Sequence, residues 1–177
     1  RRRRAERGDR VRRIWIYIEH DGDRVHPVSW ELLGAGKRLV EEAKHTPDEV
    51  VVLEAVLLGT NLGRIAAEAG HYGASTVFTI EDPGLTDYMN RPYTMAITQL
   101  IKKYLPDVFL VGASTQGRDR AGSVATTLGT GVTADTTMLA MDYAKGSDRK
   151  ILQSTRPAFG GNVIATILCQ HNLPQMS

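Results

Sequence analysis

The sequence predicts an α/β domain: an open parallel sheet flanked by helices, with a three-strand antiparallel extension toward the C-terminus. Three observations lead there. Strand-like and helix-like segments alternate four times, with connections of a few residues. The strands are nearly all apolar, which implies burial on both faces, hence a parallel sheet with right-handed crossovers. After Gly129 the pattern changes to three strand-like segments joined by turns.

Each element has a local reason. Arg13 to Glu19 (RIWIYIE) is β-branched and aromatic and stops at the turn His20-Asp21-Gly22-Asp23. Ser29 is the expected N-cap of a helix carrying Leu32, Leu33, Leu39, Val40 and Ala43 on one face. Val50 to Leu58 is the second strand. Asn61 is the expected cap of the next helix, where Leu62, Ile65, Ala66 and Ala69 share a face before Gly70 and Gly73. Thr76 to Ile80 is the third strand, and EDPG its turn. Tyr93, Ala96, Ile97, Leu100, Ile101 and Tyr104 form the best helical stripe, and Pro106 stops it. Val108 to Val111 is the fourth strand, and a short helix with Ala121, Val124, Ala125 and Leu128 follows. Thr136 to Tyr143, Lys150 to Arg156 and Asn162 to Cys169 are the three antiparallel strands.

Composition bounds the function. The 177 residues are 42% apolar, enough for one domain with a real core. The longest apolar run, Val50 to Leu58, is interrupted by Glu54 and falls short of a membrane span. No secretory signal is evident, and the single cysteine, Cys169, has no internal disulfide partner, so a reducing cytoplasm is the expected setting. The chain begins with Arg1 rather than Met and is expected to be a piece of a longer protein. Residues 1–13 (RRRRAERGDRVRR) hold 8 of the 22 basic residues and 2 of the 20 acidic ones. The remaining 14 basic and 18 acidic residues make the body formally −4, so the basic excess is expected to be a disordered tail. An arm for nucleic acid is the other reading, opposed by the acidic body and by the lack of interleaved aromatics.

No metal-ligand spacing, nucleophile elbow, Walker motif or dinucleotide fingerprint is present. Three loops remain. Gly112 to Asp119 runs from a strand end into a helix, where Ser114, Thr115, Gly117 and Arg118 suit an anion; the favoured reading of the loop is a satisfied N-cap, with Arg118 and Asp119 paired to structural neighbours. Gly129 to Thr136 contains Asp135, which is placed to accept backbone N–H bonds. Thr155 to Asn162 sets Arg156 before Pro157, then Phe159 and the pair Gly160-Gly161 before Asn162, a turn that permits close backbone approach. Arg156 either faces a partner or pairs internally, for instance with Asp135.

GRDRAGSVATTLGTGVTADTT at 117–137 and TRPAFGGNVIATI at 155–167 resemble the signature of electron-transfer flavoprotein alpha subunits. Ile14 to Leu58, with ELLGAGKRL between two strands, is similar too, so the resemblance covers about 14–177. Arg120-Ala121-Gly122-Ser123 stands where the family pattern has Leu-Ala-Pro-Arg, and Thr136 where it has Cys. The resemblance implies a Rossmann-like fold of the adenine-nucleotide-hydrolase type over 14–173, with 174–177 opening a linker to an FAD-binding domain. It implies FAD in the complete protein, bound mainly outside this segment, and a beta-subunit partner holding AMP or a second FAD. Electrons would pass from dehydrogenases to a quinone reductase or another acceptor, and some family members bifurcate them. Such a subunit is an electron carrier without a self-contained active site, and it calls for neither nucleic acid nor membrane insertion. The alternative is a stand-alone adenine-nucleotide-binding module similar to universal stress proteins.

Overall fold

A computed structural model describes residues 11–146, 148–158 and 163–177. Strand β1 (Arg12–Tyr17) sends Ile14 and Ile16 into one core and Trp15 and Tyr17 into the other, because successive side chains of a strand alternate. A short hairpin, β2 (His20–Asp21) and β3 (Arg24–Val25), precedes α1 (Pro27–Ala43). Then come β4 (Val51–Gly59), α2 (Gly63–His71) and β5 (Thr76–Glu81). A 3-10 turn over Pro83–Leu85 leads to α3 (Asn90–Tyr104), β6 (Val108–Leu110) and α4 (Thr115–Leu128). The chain closes with β7 (Met138–Tyr143), β8 (Lys150–Ala158), β9 (Val163–Leu168) and β10 (Gln175–Met176).

The main sheet is parallel, in the order β10-β6-β1-β4-β5. Leu33 and Leu39 of α1 and Ile65 of α2 cover one face, against Ile14, Leu53 and Leu110. Ile97 of α3 and Val124 of α4 cover the other, against Trp15, Val56 and Phe109. The central strands β1, β4 and β6 are mostly apolar because both of their faces are covered, whereas β5, at the edge, leaves Thr76, Thr79 and Glu81 exposed.

Several local expectations change in three dimensions. The cap of α1 is His26, whose ring accepts from the Val28 N–H at 3.3 Å, with Pro27 at the position where a missing N–H does no harm. Ser29 is instead buried inside the helix, where its hydroxyl accepts the Glu19 N–H at 2.9 Å. Asn61 lies in the left-handed region at φ 56° and does not cap α2; the Leu62 N–H goes to Glu81 at 3.3 Å. Helix α4, expected short, runs 14 residues to Gly129, which closes it at φ 67°. The antiparallel strands form a separate sheet, β7-β8-β9, rather than prolonging the main one.

Residues 174–177, expected to open a linker, put Gln175 and Met176 against β6 as the outermost parallel strand. Gln175 is buried; its amide donates to Cys169 O at 2.7 Å and its carbonyl accepts from the Leu152 N–H at 2.9 Å, tying the two sheets together.

Arg12 and Arg13, assigned to the tail by charge, belong to β1. Arg12 is buried and donates to Ala43 O and Lys150 O, both at 2.8 Å. Burial pushes its guanidinium below the ordinary value, opposed by Asp107 and Glu49. Lys150 donates to Glu42 O at 2.8 Å and Lys44 O at 2.9 Å. Helix α1 has no glycine at its end, and these two cations from distant strands satisfy its last carbonyls instead. Arg12→Ala is therefore expected to lose about 1.5 to 3 kcal/mol, the range for a charged hydrogen bond. A melting curve superimposable on that of the unsubstituted chain would show that the bridge contributes nothing.

Candidate functional site

Open α/β sheets place ligands beyond the carboxyl ends of their strands, where strand order reverses. Here that point lies between β1 and β6, since β1 pairs with β4 on one side and β6 on the other. The loop from β6 to α4 is shaped by close packing. A Cβ on Gly117 would overlap Gly112 O, and one on Gly112 would overlap the Val28 side chain. Ser114 caps α4: its Oγ accepts the Gly117 N–H at 2.9 Å and donates to Glu19 Oε2 at 2.7 Å. A helix N-terminus attracts an anion, and a resident carboxylate already stands beside this cap. Thr115 opens the helix from an exposed position. Of the two readings of this loop, the geometry supports the satisfied cap.

Arg118 and Asp135 meet, with Nη2 and Oδ1 2.6 Å apart, joining the first turn of α4 to the loop that follows the helix. Both are about half exposed, and Asp135 takes φ 56° to make the contact. Asp135 thus pairs with Arg118 and not with Arg156. Arg156 lies on β8, opposite Ala165 of β9, and its Nε donates to Pro157 O at 3.5 Å. Phe159, Gly160, Gly161 and Asn162 lie outside the described residues. The expected site residues therefore separate into two places. Ser114, Thr115, Gly117, Arg118 and Asp135 gather at the carboxyl end of the parallel sheet, and Arg156 belongs to the antiparallel one.

Beside the Arg118–Asp135 pair is a cavity of about 570 Å³. It is lined by Val28, Leu32 and Ala35 of α1 together with Val111, Ala121, Val132 and Leu139. The antiparallel sheet presents a second surface. On β9, an edge strand, Ile164 is 74% exposed and Val163, Ile167 and Leu168 are also exposed, as is Met138 of β7 at 59%.

The buried pair of Arg120 and Glu19 went unforeseen. Arg120 is 1% exposed, with its guanidinium carbon 4.1, 4.7 and 5.3 Å from the ring centroids of Tyr17, Tyr88 and Tyr93. Its Nη1 lies 3.6 Å from Glu19 Oε2, while Nε and Nη1 have no hydrogen-bond partner. Tyr88 donates to Asp119 at 2.7 Å; burial first, then that bond, pushes its phenol up to about 12. The same hydroxyl holds the Asp119 carboxyl below its ordinary value. Burial raises the phenol of Tyr17 as well. A signal for Arg120 existed: it stands four residues before Val124, on the buried stripe of α4.

Among the described residues, no three His, Cys, Asp or Glu side chains gather to hold a metal, and no helix is long and apolar enough to cross a membrane. The parallel sheet, its cleft and the added antiparallel layer define a Rossmann-like domain with a second sheet. The electron transfer flavoprotein domain matches residues 14–177. The chain belongs to the electron transfer flavoprotein family, as an N-terminal domain of the alpha-subunit type. It is 47% identical to Protein FixB of Azorhizobium caulinodans, over 93% of this chain and 42% of that one. It is 38% identical to the electron transfer flavoprotein subunit alpha of Thermoanaerobacterium thermosaccharolyticum, over 93% and 46%. It is 36% identical to the lactate dehydrogenase (NAD(+),ferredoxin) subunit LctC of Acetobacterium woodii, over 93% and 37%. The chain spans less than half the length of these relatives.

Proposed function

We propose that this domain is the scaffold part of an alpha subunit in an FAD-containing heterodimeric electron-transfer flavoprotein. The observation that supports it is the apolar antiparallel sheet, whose edge strand β9 exposes Val163, Ile164, Ile167 and Leu168. An exposed apolar edge of this kind is normally covered by a partner, and the partner proposed is the beta subunit, carrying AMP or a second FAD. Arg156, on the neighbouring strand, contributes a guanidinium to the same contact. The principal FAD is held mainly by protein beyond this segment, and the domain carries no active site of its own. In the whole protein, electrons pass in the cytoplasm from dehydrogenases to a quinone reductase or another acceptor. The likeness to a subunit named for lactate, NAD(+) and ferredoxin extends the proposal to electron bifurcation.

The test is co-expression of the complete alpha subunit with its beta subunit. The wild type is expected to co-purify as a yellow complex. Ile164→Glu is expected to abolish the complex while the melting temperature of the isolated domain stays unchanged. Arg156→Ala is expected to weaken assembly by about 1.5 to 3 kcal/mol, roughly ten- to a hundred-fold in affinity. A complex formed by Ile164→Glu at wild-type affinity would overturn the assignment of this face. An uncoloured wild-type complex would overturn the flavoprotein reading.

A further inference from the structure

We propose that the groove between α3 and α4 docks an acidic, partly apolar segment of another protein. The groove has a volume of about 670 Å³ and belongs to the two helices that cover Trp15 and Phe109, not to the antiparallel sheet. The proposal does not rest on the flavoprotein reading. Arg91, Thr94, Met95 and Thr98 line the groove from α3 with the spacing of one helical stripe, and Lys102 continues that stripe by a turn. Helix α3 carries Arg91, Lys102 and Lys103 and no acid, on a body of residues 14–177 that is formally −4. Arg91 and Lys102 have no partner among the described residues. The acid in the groove, Asp119, already accepts the Tyr88 hydroxyl at 2.7 Å, and Arg118 is held by Asp135 at 2.6 Å. The charges left over are therefore both positive. Helix α3 also begins without a side-chain cap and without an acid in its first turn, so the positive end of its dipole adds to theirs. An acidic segment is attracted here and repelled by the rest of the body.

The hydroxyls of the groove separate a peptide from other anions. Thr98 donates to Thr94 O, Thr126 to Gly122 O and Thr127 to Ser123 O, each at 2.8 Å. Thr94 donates to Asn90 Oδ1 at 3.4 Å. Each of these hydroxyls spends its one proton on its own helix and keeps only lone pairs for an occupant. A phosphodiester, in a lipid headgroup or a nucleic acid backbone, brings acceptors alone and finds no donor in them. A peptide brings backbone N–H groups for the hydroxyls and carboxylates for Arg91 and Lys102. Met89 and Met95, 53% and 52% exposed, supply adaptable apolar contact beside the cations. In the middle of the groove a Cβ on Gly122 would meet nothing within 4 Å, which leaves room for a side chain of the partner.

Fluorescence anisotropy of a labelled short peptide rich in glutamate and leucine, titrated with the full chain at about 0.15 M salt, tests the proposal. Residues 1–13 attract any polyanion, so the decisive comparison is among variants that share them. Gly122→Phe fills the groove without altering a charge. Its melting temperature is expected to be unchanged or higher, since glycine weakens a helix interior and a Cβ has room there. It is expected to bind the peptide at least about tenfold more weakly, as is the double variant Arg91→Glu with Lys102→Glu. Vesicles of phosphatidylglycerol and a single-stranded oligonucleotide are expected to bind the wild type and Gly122→Phe alike. Peptide affinity unchanged in Gly122→Phe or in the double variant would overturn the proposal, as would a wild type that does not bind the peptide. A loss of vesicle or oligonucleotide binding in Gly122→Phe as large as the loss of peptide binding would overturn the choice of a peptide as occupant.

Discussion

Glu54→Leu is expected to destabilise the domain by about 3 to 5 kcal/mol, the range for breaking a buried ion pair. Glu54 is 3% exposed on β4, directly across from Trp15 in the parallel register. One carboxylate oxygen accepts the Trp15 indole N–H at 2.7 Å and the other accepts from Arg13 at 2.6 Å. Trp15 is completely buried, so its N–H has no water to turn to once the carboxylate is gone. Arg13 is 29% exposed and recovers part of its hydration, which favours the lower end of the range. The loss corresponds to a fall of roughly 10 °C in melting temperature for a domain of this size. Glu54→Gln keeps an acceptor for the indole and is expected to lose less. Adding Trp15→Phe to Glu54→Leu removes the stranded donor and is expected to recover part of the loss. Urea unfolding of the variants measures the series; an unchanged midpoint for Glu54→Leu would mean that the carboxylate is not the partner on which Trp15 depends.

Arg120→Leu, by contrast, is expected to stabilise the domain by about 1 to 4 kcal/mol, as replacing an imperfectly satisfied buried ion with an apolar side chain often does. The guanidinium is fully desolvated, two of its nitrogens make no hydrogen bond, and its carboxylate partner stands at 3.6 Å. Three tyrosine rings offset part of the desolvation through their negative faces. Those rings give a leucine apolar contact as well, and leucine is the residue of the family pattern at this position. Removing the counter-charge instead has the opposite sign. Glu19→Gln keeps the acceptor for Ser114 but leaves Arg120 facing a neutral amide, and is expected to cost about 3 to 5 kcal/mol. The double variant is expected to return close to the wild type, because the stranded cation is gone. Thermal melts of the two single variants and the double form a cycle that reports the coupling. A marked loss of stability in Arg120→Leu would show that the tyrosine cage more than balances desolvation.

Much of the architecture was legible because it rests on local periodicity. On α3, Tyr93, Ile97 and Ile101 are buried as their spacing requires, and Ala96, Leu100 and Tyr104 pack partly against the same core. The alternation of β1 likewise divides Ile14 and Ile16 from Trp15 and Tyr17. Caps were less legible, since a hydroxyl or amide near a helix start has several partners open to it. Ser29 bonds Glu19 of the preceding strand end, and Leu62 takes Glu81 from β5, so neither helix begins as its local sequence suggests. Of the site, the Ser114 cap was foreseen as one of two readings; the pairing of Arg118 with Asp135 was not.

The sequence by itself determined the alternation of strands and helices, the two-faced burial of the parallel strands, and the family, through the blocks at 117–137 and 155–167. Tertiary structure alone decided which partners the internal charges meet. Glu54 and Trp15 are 39 residues apart and meet only because β1 and β4 pair in one particular register. Ser114 and Glu19 are 95 residues apart and meet because β1 and β6 are neighbours in the sheet, so the start of α4 falls beside the end of β1. Periodicity reports which face of an element leaves water. It is blind to which distant group waits on that face, and a buried charge takes its role from that group.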